Sequence, residues 1–575
     1  MSRAASTTLV RLPVWRARFV LFAFMLAFAV LIGRSIYLQA MRTGFLQEQG
    51  KARYSRVLTI PATRGRILDR NGDALAVSTP VKSIWMIPGD VKASYAQKKR
   101  LAALLGLGRR ELNRKLADTG RDFVYLKRLI APDTAKKVAA LDIPGVYQQR
   151  EYRRYYPAGE VTAHLVGFTG VDDKGQEGIE LAYQASLAGR PGSRRVIKDR
   201  LGRVVEDVGS VHPAQNGHDL TLSIDGKIQS LAFSALKGAV IAHGAKAGAI
   251  VAIDVRTGEI LALANVPSYN PNNRAHLSGS QLRNRAITDS FEPGSTLKPF
   301  TIAVALEHHR VTPTTKIQTA PGTLKIGGYT IHDAHRESML TVAQVIEKSS
   351  NVGASKIALQ LPRRQMWDMF EAVGFGSPPK LRFPGEASGK VRPWQTWRPI
   401  EQATMSYGHG ISVSLLQLAH AYTIFARDGV LVPLTLLRTG NPVNGVRVIS
   451  IRTAREIRAM LELAVHAGGT GTRARIVGWT VAGKTGTAHI EENGGYAPDK
   501  YIASFVGFAP ASKPRLVIAV MVDQPKGREY YGGLVAAPVF AQVMQGALRM
   551  LNVPHDAPLT PLEKPGASDD AKEGT

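Results

Sequence analysis

The sequence contains no cysteine, which excludes disulfides, thiolate nucleophiles and cysteine-based zinc sites. Such an absence fits a compartment in which stray thiols would be oxidised. Acidic residues are scarce beside basic ones, 45 against 74, for a formal net charge of +29. That surplus points to an anionic partner, whether nucleic acid, membrane headgroups or an acidic polymer, without choosing among them. Also missing are an RNP-type aromatic motif, a Cys/His finger and a Walker loop, so the surplus does not read as nucleic-acid binding. Long apolar runs are absent too, with one exception near the N-terminus.

What remains is ordinary globular material, 44% hydrophobic and 21% charged over 575 residues, enough for two folded domains with sizeable cores. The first 18 residues carry Arg3, Arg11, Arg16 and Arg18 and no acid. FVLFAFMLAFAVLIG then runs uncharged from Phe19 to Gly33, and SIYLQAM continues it past Arg34, whose side chain can snorkel toward headgroups. A spanning helix needs ~20 such residues. We read 1–18 as a cytoplasmic N-terminus and 19–40 as a single transmembrane helix; the positive-inside rule then places all that follows outside the cytoplasm. A cleaved signal peptide and a buried core helix are the alternatives, against which stand the missing small-x-small cleavage site and the flanking arginines.

Beyond the anchor, ATRGRILDRNGDALAVSTP predicts a strand, a turn at Asn71-Gly72 and a second strand. Residues 88 to 150 read as helical and basic, with leucines at helical spacing in AQKKRLAALLGLGRRELNRKLADTG. The stretch 41–240 shows no chemical cluster and reads as a pedestal. The texture changes at Ala247: GAIVAIDVRTGEILALANV predicts two strands joined at Arg256-Thr257-Gly258. WTVAGKTGTAHI, YIASFVGFAPA and RLVIAVMVDQ predict three more, and AAPVFAQVMQGALRML a closing helix. Strands from both ends of 241–552 with helices between imply an α+β domain built on an antiparallel sheet. The segment 553–575, rich in Pro and charge, reads as a disordered tail.

Ser295 and Lys298 stand in FEPGSTLKPF, at a Pro-Gly break opening an apolar helix. A serine needs a base to become a nucleophile, and a lysine at i+3 lies on the same helical face. The spelling alone is weak: Ser234-Ala-Leu-Lys237 repeats it inside a helix that Asp225 could cap, where we read it as structural. S-x-N is equally common, at Ser268 to Asn270 in a loop and at Ser349 to Asn351 between two helical segments. Lys484-Thr485-Gly486 occurs once, after a strand-like run. His409 and His420 belong to none of these motifs and read as structural.

Taken in order, S-x-x-K, S-x-N and K-T-G resemble the signature of penicillin-binding proteins and serine β-lactamases. RGRILDRNGDALA, GFTGVDDKGQEGIE, DRLGRVVED, DVRTGEILALANVPSYNPN, RNRAITDSFEPGSTLKPF and SYGHGISVSLLQLAHAY extend the similarity over nearly the whole chain to class B penicillin-binding proteins. Within that class the chain most resembles the division-specific, FtsI-type transpeptidases; an elongation-type relative is the alternative, and a D,D-carboxypeptidase or β-lactamase a more remote one.

The resemblance implies an anchor, an elongated α+β pedestal or dimerisation domain (41–240) and a transpeptidase domain (241–552) with an antiparallel sheet flanked by helices. It makes Ser295 the nucleophile, Lys298 its base and Ser349 a proton relay, with Asn351 orienting Lys298 and the donor peptide. Lys484, Thr485, Gly486 and Thr487 would bind the terminal carboxylate, and the backbone N–H groups of Ser295 and Thr487 would form the oxyanion hole. No metal or organic cofactor is implied. The implied partners are stem peptides ending D-Ala-D-Ala, an amine acceptor, β-lactams, an FtsW-type glycan polymerase and other division proteins, at the bacterial inner membrane with the catalytic domain periplasmic. One local expectation concerns Pro299: it has no N–H to bond the Ser295 carbonyl, so the nucleophile's turn should depart from regular α-helix.

Overall fold

The computed structural model describes residues 13–41, 44, 55–198, 204–275, 277–492, 494–527 and 529–559. Helix α1 spans Val14–Ile36 and continues as a π-turn, Tyr37–Met41; none of its helical residues is buried. It starts five residues before the expected Phe19, directly after Pro13, whose φ of −58° and ψ of 133° are not helical. Among the described residues it is the one helix long and apolar enough to cross a membrane.

The chain divides into two compact units that interleave in sequence, one of 1–62, 83–149 and 190–216, the other of 63–82, 150–189 and 217–575. The expected hairpin is present as β1, Ile67–Leu68, and β2, Ala74–Met86, joined through Gly72 at φ +93°; it lies in the second unit, and β2 continues into the first from Ser83 onward. Buried Asp69 organises that turn: it accepts the N–H groups of Asn71 and Asp73, each at 2.8 Å, and that of Gly226 at 3.0 Å.

In the first unit, β2 pairs with β3, Val124–Ile130, and β4, Val146–Tyr155. Three helices, α2 (Tyr95–Leu105), α3 (Arg109–Ala117) and α4 (Pro132–Ala139), bury the predicted leucine stripe, Leu101, Leu105 and Leu112, with Ile84, Met86, Leu126 and Val138. Capping defines α2, where Ser94 and Gln97 form a capping box and Gly106 at φ +60° ends the helix. A separate three-stranded antiparallel sheet joins Ser55–Ile60, Gly192–Lys198 and Val204–His212.

In the second unit, Arg64 and Arg154 share one fully buried partner, Glu180, at 2.6 and 2.7 Å. Their removal from water is compensated only while both pairings hold. Ahead of the main sheet comes α5, Gly226–Ala242, capped as expected by Asp225, whose carboxylate accepts the N–H groups of Lys227 and Ile228.

The main sheet runs in the order β6 (Ile260–Val266), β5 (Ala247–Asp254), β9 (Leu516–Asp523), β8 (Gly495–Ala509), β7 (Ala482–Glu492), antiparallel throughout. The early hairpin and the late strands thus meet as predicted. Both faces are covered, and the strand period of two divides the side chains: Ala249, Val251 and Ile253 enter one core, Ile250 and Ala252 the other. The first core takes α6 (Lys298–Glu307) and α9 (Leu415–Ala426), the second α5 and α10 (Ala537–Met550). Each fully buried Val, Leu, Ile or Phe contributes about 1.5–3 kcal/mol. Burial on both faces explains why these strands read as continuous apolar runs rather than alternations.

One expectation is corrected. Residues 553–559, assigned to the disordered tail, pack on the loop before β7: Trp479 Nε1 donates to Pro554 at 3.0 Å and Asp556 accepts the Thr480 N–H at 2.8 Å. His555 lies 4.1 Å from the Trp479 ring, an apolar contact that composition alone conceals. Residues 560–575 lie outside the described residues.

Candidate active site

Ser295 sits in a 3-10 turn, Gly294–Leu297, that passes into α6 at Lys298. The Lys298 N–H takes the Ser295 carbonyl, the bond that Pro299 cannot make, so the turn is tighter than an α-helix, as expected. Other side chains satisfy its neighbours. Thr296 Oγ1 donates to the Pro293 carbonyl and the buried Tyr422 hydroxyl to the Thr296 carbonyl, both at 2.7 Å. The turn is therefore held from three directions.

Lys298 is fully buried, yet its Nζ is surrounded by oxygen: Ser295 Oγ at 2.6 Å, the Ser349 carbonyl at 2.8 Å, Asn351 Oδ1 at 2.8 Å and Ser349 Oγ at 3.0 Å. Ser349 reaches it from a left-handed backbone, φ +61°, a conformation costing a serine about 1–2 kcal/mol. That twist turns both its carbonyl and its hydroxyl onto one nitrogen. It falls between α7, Val342–Glu347, and α8, Asn351–Ala358.

The start of α8 is fixed by a residue outside the three motifs. Asp333 accepts the Ser350 hydroxyl at 2.6 Å and the Val352 N–H at 2.9 Å, while Ser350 Oγ accepts the Gly353 N–H at 2.8 Å. Asn351 Nδ2 donates to the His332 carbonyl at 3.1 Å, which leaves Oδ1 aimed at Lys298. Nothing in the spelling of His332-Asp333 marks this role.

Lys484 to Thr487 lie buried on β7, the edge strand. Lys484 Nζ is 3.2 Å from Thr485 Oγ1, which is 2.7 Å from Thr470 Oγ1, a second residue without a motif. Thr487 Oγ1 accepts the N–H of Gly532 at 3.0 Å. Gly486 is glycine for steric reasons: a Cβ there would meet Ser504 Oγ at 2.5 Å, the Pro293 carbonyl at 2.8 Å and Thr296 Cγ2 at 2.9 Å. A Cβ on Gly294, at φ +56°, would lie 3.2 Å from the Thr487 carbonyl. Glycine on both sides thus lets the edge strand and the nucleophile's turn approach backbone to backbone. All eight candidate residues converge on this junction.

The remaining candidates separate from it. Ser234 is exposed on α5, and Lys237 pairs with Glu160 at 2.8 Å. Ser268 donates to the Glu160 carbonyl in its loop. His420 is held by the Val432 carbonyl, and burial pushes its pKa down to about 4. His409 is likewise pushed down to about 4 by burial, but it lies beside the site, 5.2 Å from the Tyr407 ring, itself 5.9 Å from Lys298 Nζ.

Comparison with known proteins gives the family. Residues 248–545 match the family described as "Penicillin binding protein transpeptidase domain", and 59–222 match "Penicillin-binding Protein dimerisation domain". The chain is 44% identical to the probable peptidoglycan D,D-transpeptidase PenA of Neisseria gonorrhoeae, over 95% of this chain and 94% of that protein. It is 42% identical to the peptidoglycan D,D-transpeptidase FtsI of Escherichia coli K12, over 94% and 93%. Among solved structures, the transpeptidase domain of Burkholderia pseudomallei penicillin-binding protein 3 aligns with TM-score 0.55 at 49% identity, covering 59% of this chain and 98% of that one. A peptidoglycan synthetase from Bifidobacterium adolescentis aligns with TM-score 0.69 at 27% identity, covering 88% and 98%.

Proposed function

The chain belongs to the class B penicillin-binding proteins, and from that premise we propose that it cross-links peptidoglycan as a serine D,D-transpeptidase acylated at Ser295. The observation that carries the reading is the 2.6 Å contact between Lys298 Nζ and Ser295 Oγ inside a buried polar nest. A neutral amine has two N–H donors and one lone pair. The Ser349 carbonyl and Asn351 Oδ1 can only accept, so they take the two hydrogens and leave the lone pair facing Ser295. Burial disfavours the charged form and supports that assignment.

In the first half-reaction Ser295 Oγ bonds to the carbonyl carbon of the penultimate D-Ala while its proton passes to Lys298. The bond to the last D-Ala breaks, and the proton reaches the leaving nitrogen through the Ser349 hydroxyl. In the second, an amine on a neighbouring stem attacks the ester, its proton returns to Ser295, and the cross-link leaves. Charge on the tetrahedral oxygen would be met by the N–H groups of Ser295 and Thr487, each such donor contributing ~10²–10³ in rate. The close approach of Gly294 to Thr487 supports that pairing. Lys484, Thr485, Gly486 and Thr487 are assigned to the donor's terminal carboxylate. β-Lactams acylate the same serine.

Action at the septum, with an FtsW-type glycan polymerase and other division proteins as partners, is supported by the similarity to FtsI. The single candidate span among the described residues, with Arg16 and Arg18 near its start, supports a cytoplasmic N-terminus and a catalytic domain outside the inner membrane. A functional division near residue 240 into pedestal and transpeptidase domains completes the proposal. The test exposes full-length protein to a labelled β-lactam and maps the adduct by peptide mass. One stable adduct on Ser295 is expected; label on Ser234, or none on folded protein, would sink the mechanism.

A further inference from the structure

We propose that Glu292 is a subsite for the donor stem's own side-chain ammonium, an assignment that rests on the transpeptidase reading above. Glu292 precedes Ser295 by three residues and is half-buried. Its Oε1 accepts the Gly410 N–H at 2.7 Å, and the Tyr496 hydroxyl lies 3.2 Å from Oε1 and 3.0 Å from Oε2. Among the described residues no lysine, arginine or histidine pairs with it. A carboxylate offers about four lone-pair directions, so Glu292 keeps accepting capacity. Burial, with the neighbouring Glu491 carboxylate adding to it, pushes its carboxyl above the ordinary range, and a cation is the partner that offsets such a cost.

Its position selects the ligand. Strand β7 runs from Lys484 through Thr487 to Glu491, which pairs with Tyr496. The Tyr496 ring lies 5.6 Å from His409, His409 lies 5.2 Å from Tyr407, and the Tyr407 ring lies 5.9 Å from Lys298 Nζ. Glu292 therefore lies beside the stretch of β7 beyond Thr487. With the departing residue at the Lys484 end and its carbonyl at Ser295, the retained part of the donor extends past Thr487 toward Glu292.

The chemistry selects the donor over the acceptor. Uncross-linked stems are alike, so a donor carries the same amine with which an acceptor attacks. The attacking amine must be neutral, whereas a carboxylate partner favours ammonium. Glu292 thus suits the amine that has to be recognised and kept inert.

The test uses full-length protein in detergent and two synthetic donors ending D-Ala-D-Ala, one with a free side-chain amine and one with that amine acetylated. The readout is kcat/KM for D-alanine release, beside Ser295 labelling by a β-lactam that carries no cation. Wild type should favour the free-amine donor by ~10-fold, a preference that fades on acidification as Glu292 protonates. Glu292→Gln, which can still accept from Gly410 and Tyr496, should reduce the preference to ~2-fold or less and keep labelling within ~3-fold of wild type. Equal use of both donors by wild type, a comparison needing no variant, overturns the inference, as does a preference retained in Glu292→Gln. Failure of wild type to label overturns the transpeptidase reading instead.

Discussion

Two of this chain's S-x-x-K tetrads belong to apolar helical segments, and they differ in everything except that pattern. Ser234 and Lys237 lie in the middle of α5, with the serine exposed and the lysine 43% exposed beside Glu160. Ser295 and Lys298 straddle the passage from a 3-10 turn into α6, and Lys298 is fully buried among four oxygen contacts. In the first pair the ammonium is partly solvated and paired with Glu160. In the second, burial disfavours the charged form, and the Ser349 carbonyl and Asn351 Oδ1 are placed to accept two hydrogens of the nitrogen. Reactivity belongs to the surroundings rather than to the tetrad.

The largest effect expected from breaking this contrast is at the nucleophile. Ser295→Ala should cut β-lactam labelling by ~10⁴ or more, whereas Ser234→Ala should leave the labelling rate unchanged. The bases should diverge next. Lys298→Met should slow acylation by ~10²–10⁴ in stopped-flow labelling, while Lys237→Met should change stability by no more than ~1 kcal/mol and leave acylation alone.

Positioning groups come third. Asp333→Ala removes the acceptor for Ser350 and Val352 and should cost about 1–3 kcal/mol in denaturant unfolding, with slower labelling because Ser349 and Asn351 lose their anchor. Asp333→Asn should recover part of both. The smallest contrast is between two glycines given the same methyl group. Gly486→Ala would force a Cβ to 2.5 Å from Ser504 Oγ and should destabilise by about 1–3 kcal/mol. Gly238→Ala, one residue after Lys237 and with nothing within 4 Å, should stabilise α5 by about 0.4–1 kcal/mol in thermal unfolding.

Much of the site was legible because its parts carry local signals. A Pro-Gly break before an apolar run, a serine pair between two helical segments and a Lys-Thr-Gly after a strand each announce a secondary-structure boundary. The main sheet was legible for the same reason, since β5, β6 and β9, buried on both faces, are apolar at nearly every position. Asp333, Thr470, Tyr422 and Glu292 were not. Each acts on a partner distant in sequence, through one hydroxyl or one carboxylate, and an aspartate holding a helix start looks like any surface aspartate. The early residues of the tail failed for a related reason, because a Pro-rich segment can still find an apolar ledge such as Trp479.

By itself the sequence determined the identity of the reactive groups, the elements that carry them and the absence of thiol chemistry, because these depend on side-chain type and on periods of two and 3.6 residues. It also foretold the irregular turn at Ser295, since Pro299 lacks the donor that an α-helix would need there. Only the tertiary structure decided which lysine loses its water. It brings the Ser349 carbonyl, turned by a left-handed residue, and Asn351 to Lys298 Nζ, and lets Gly294 and Gly486 draw the turn against the edge strand. Desolvation and close approach are properties of neighbours in space, which is why the same S-x-x-K pattern on α5 remains an ordinary helix surface.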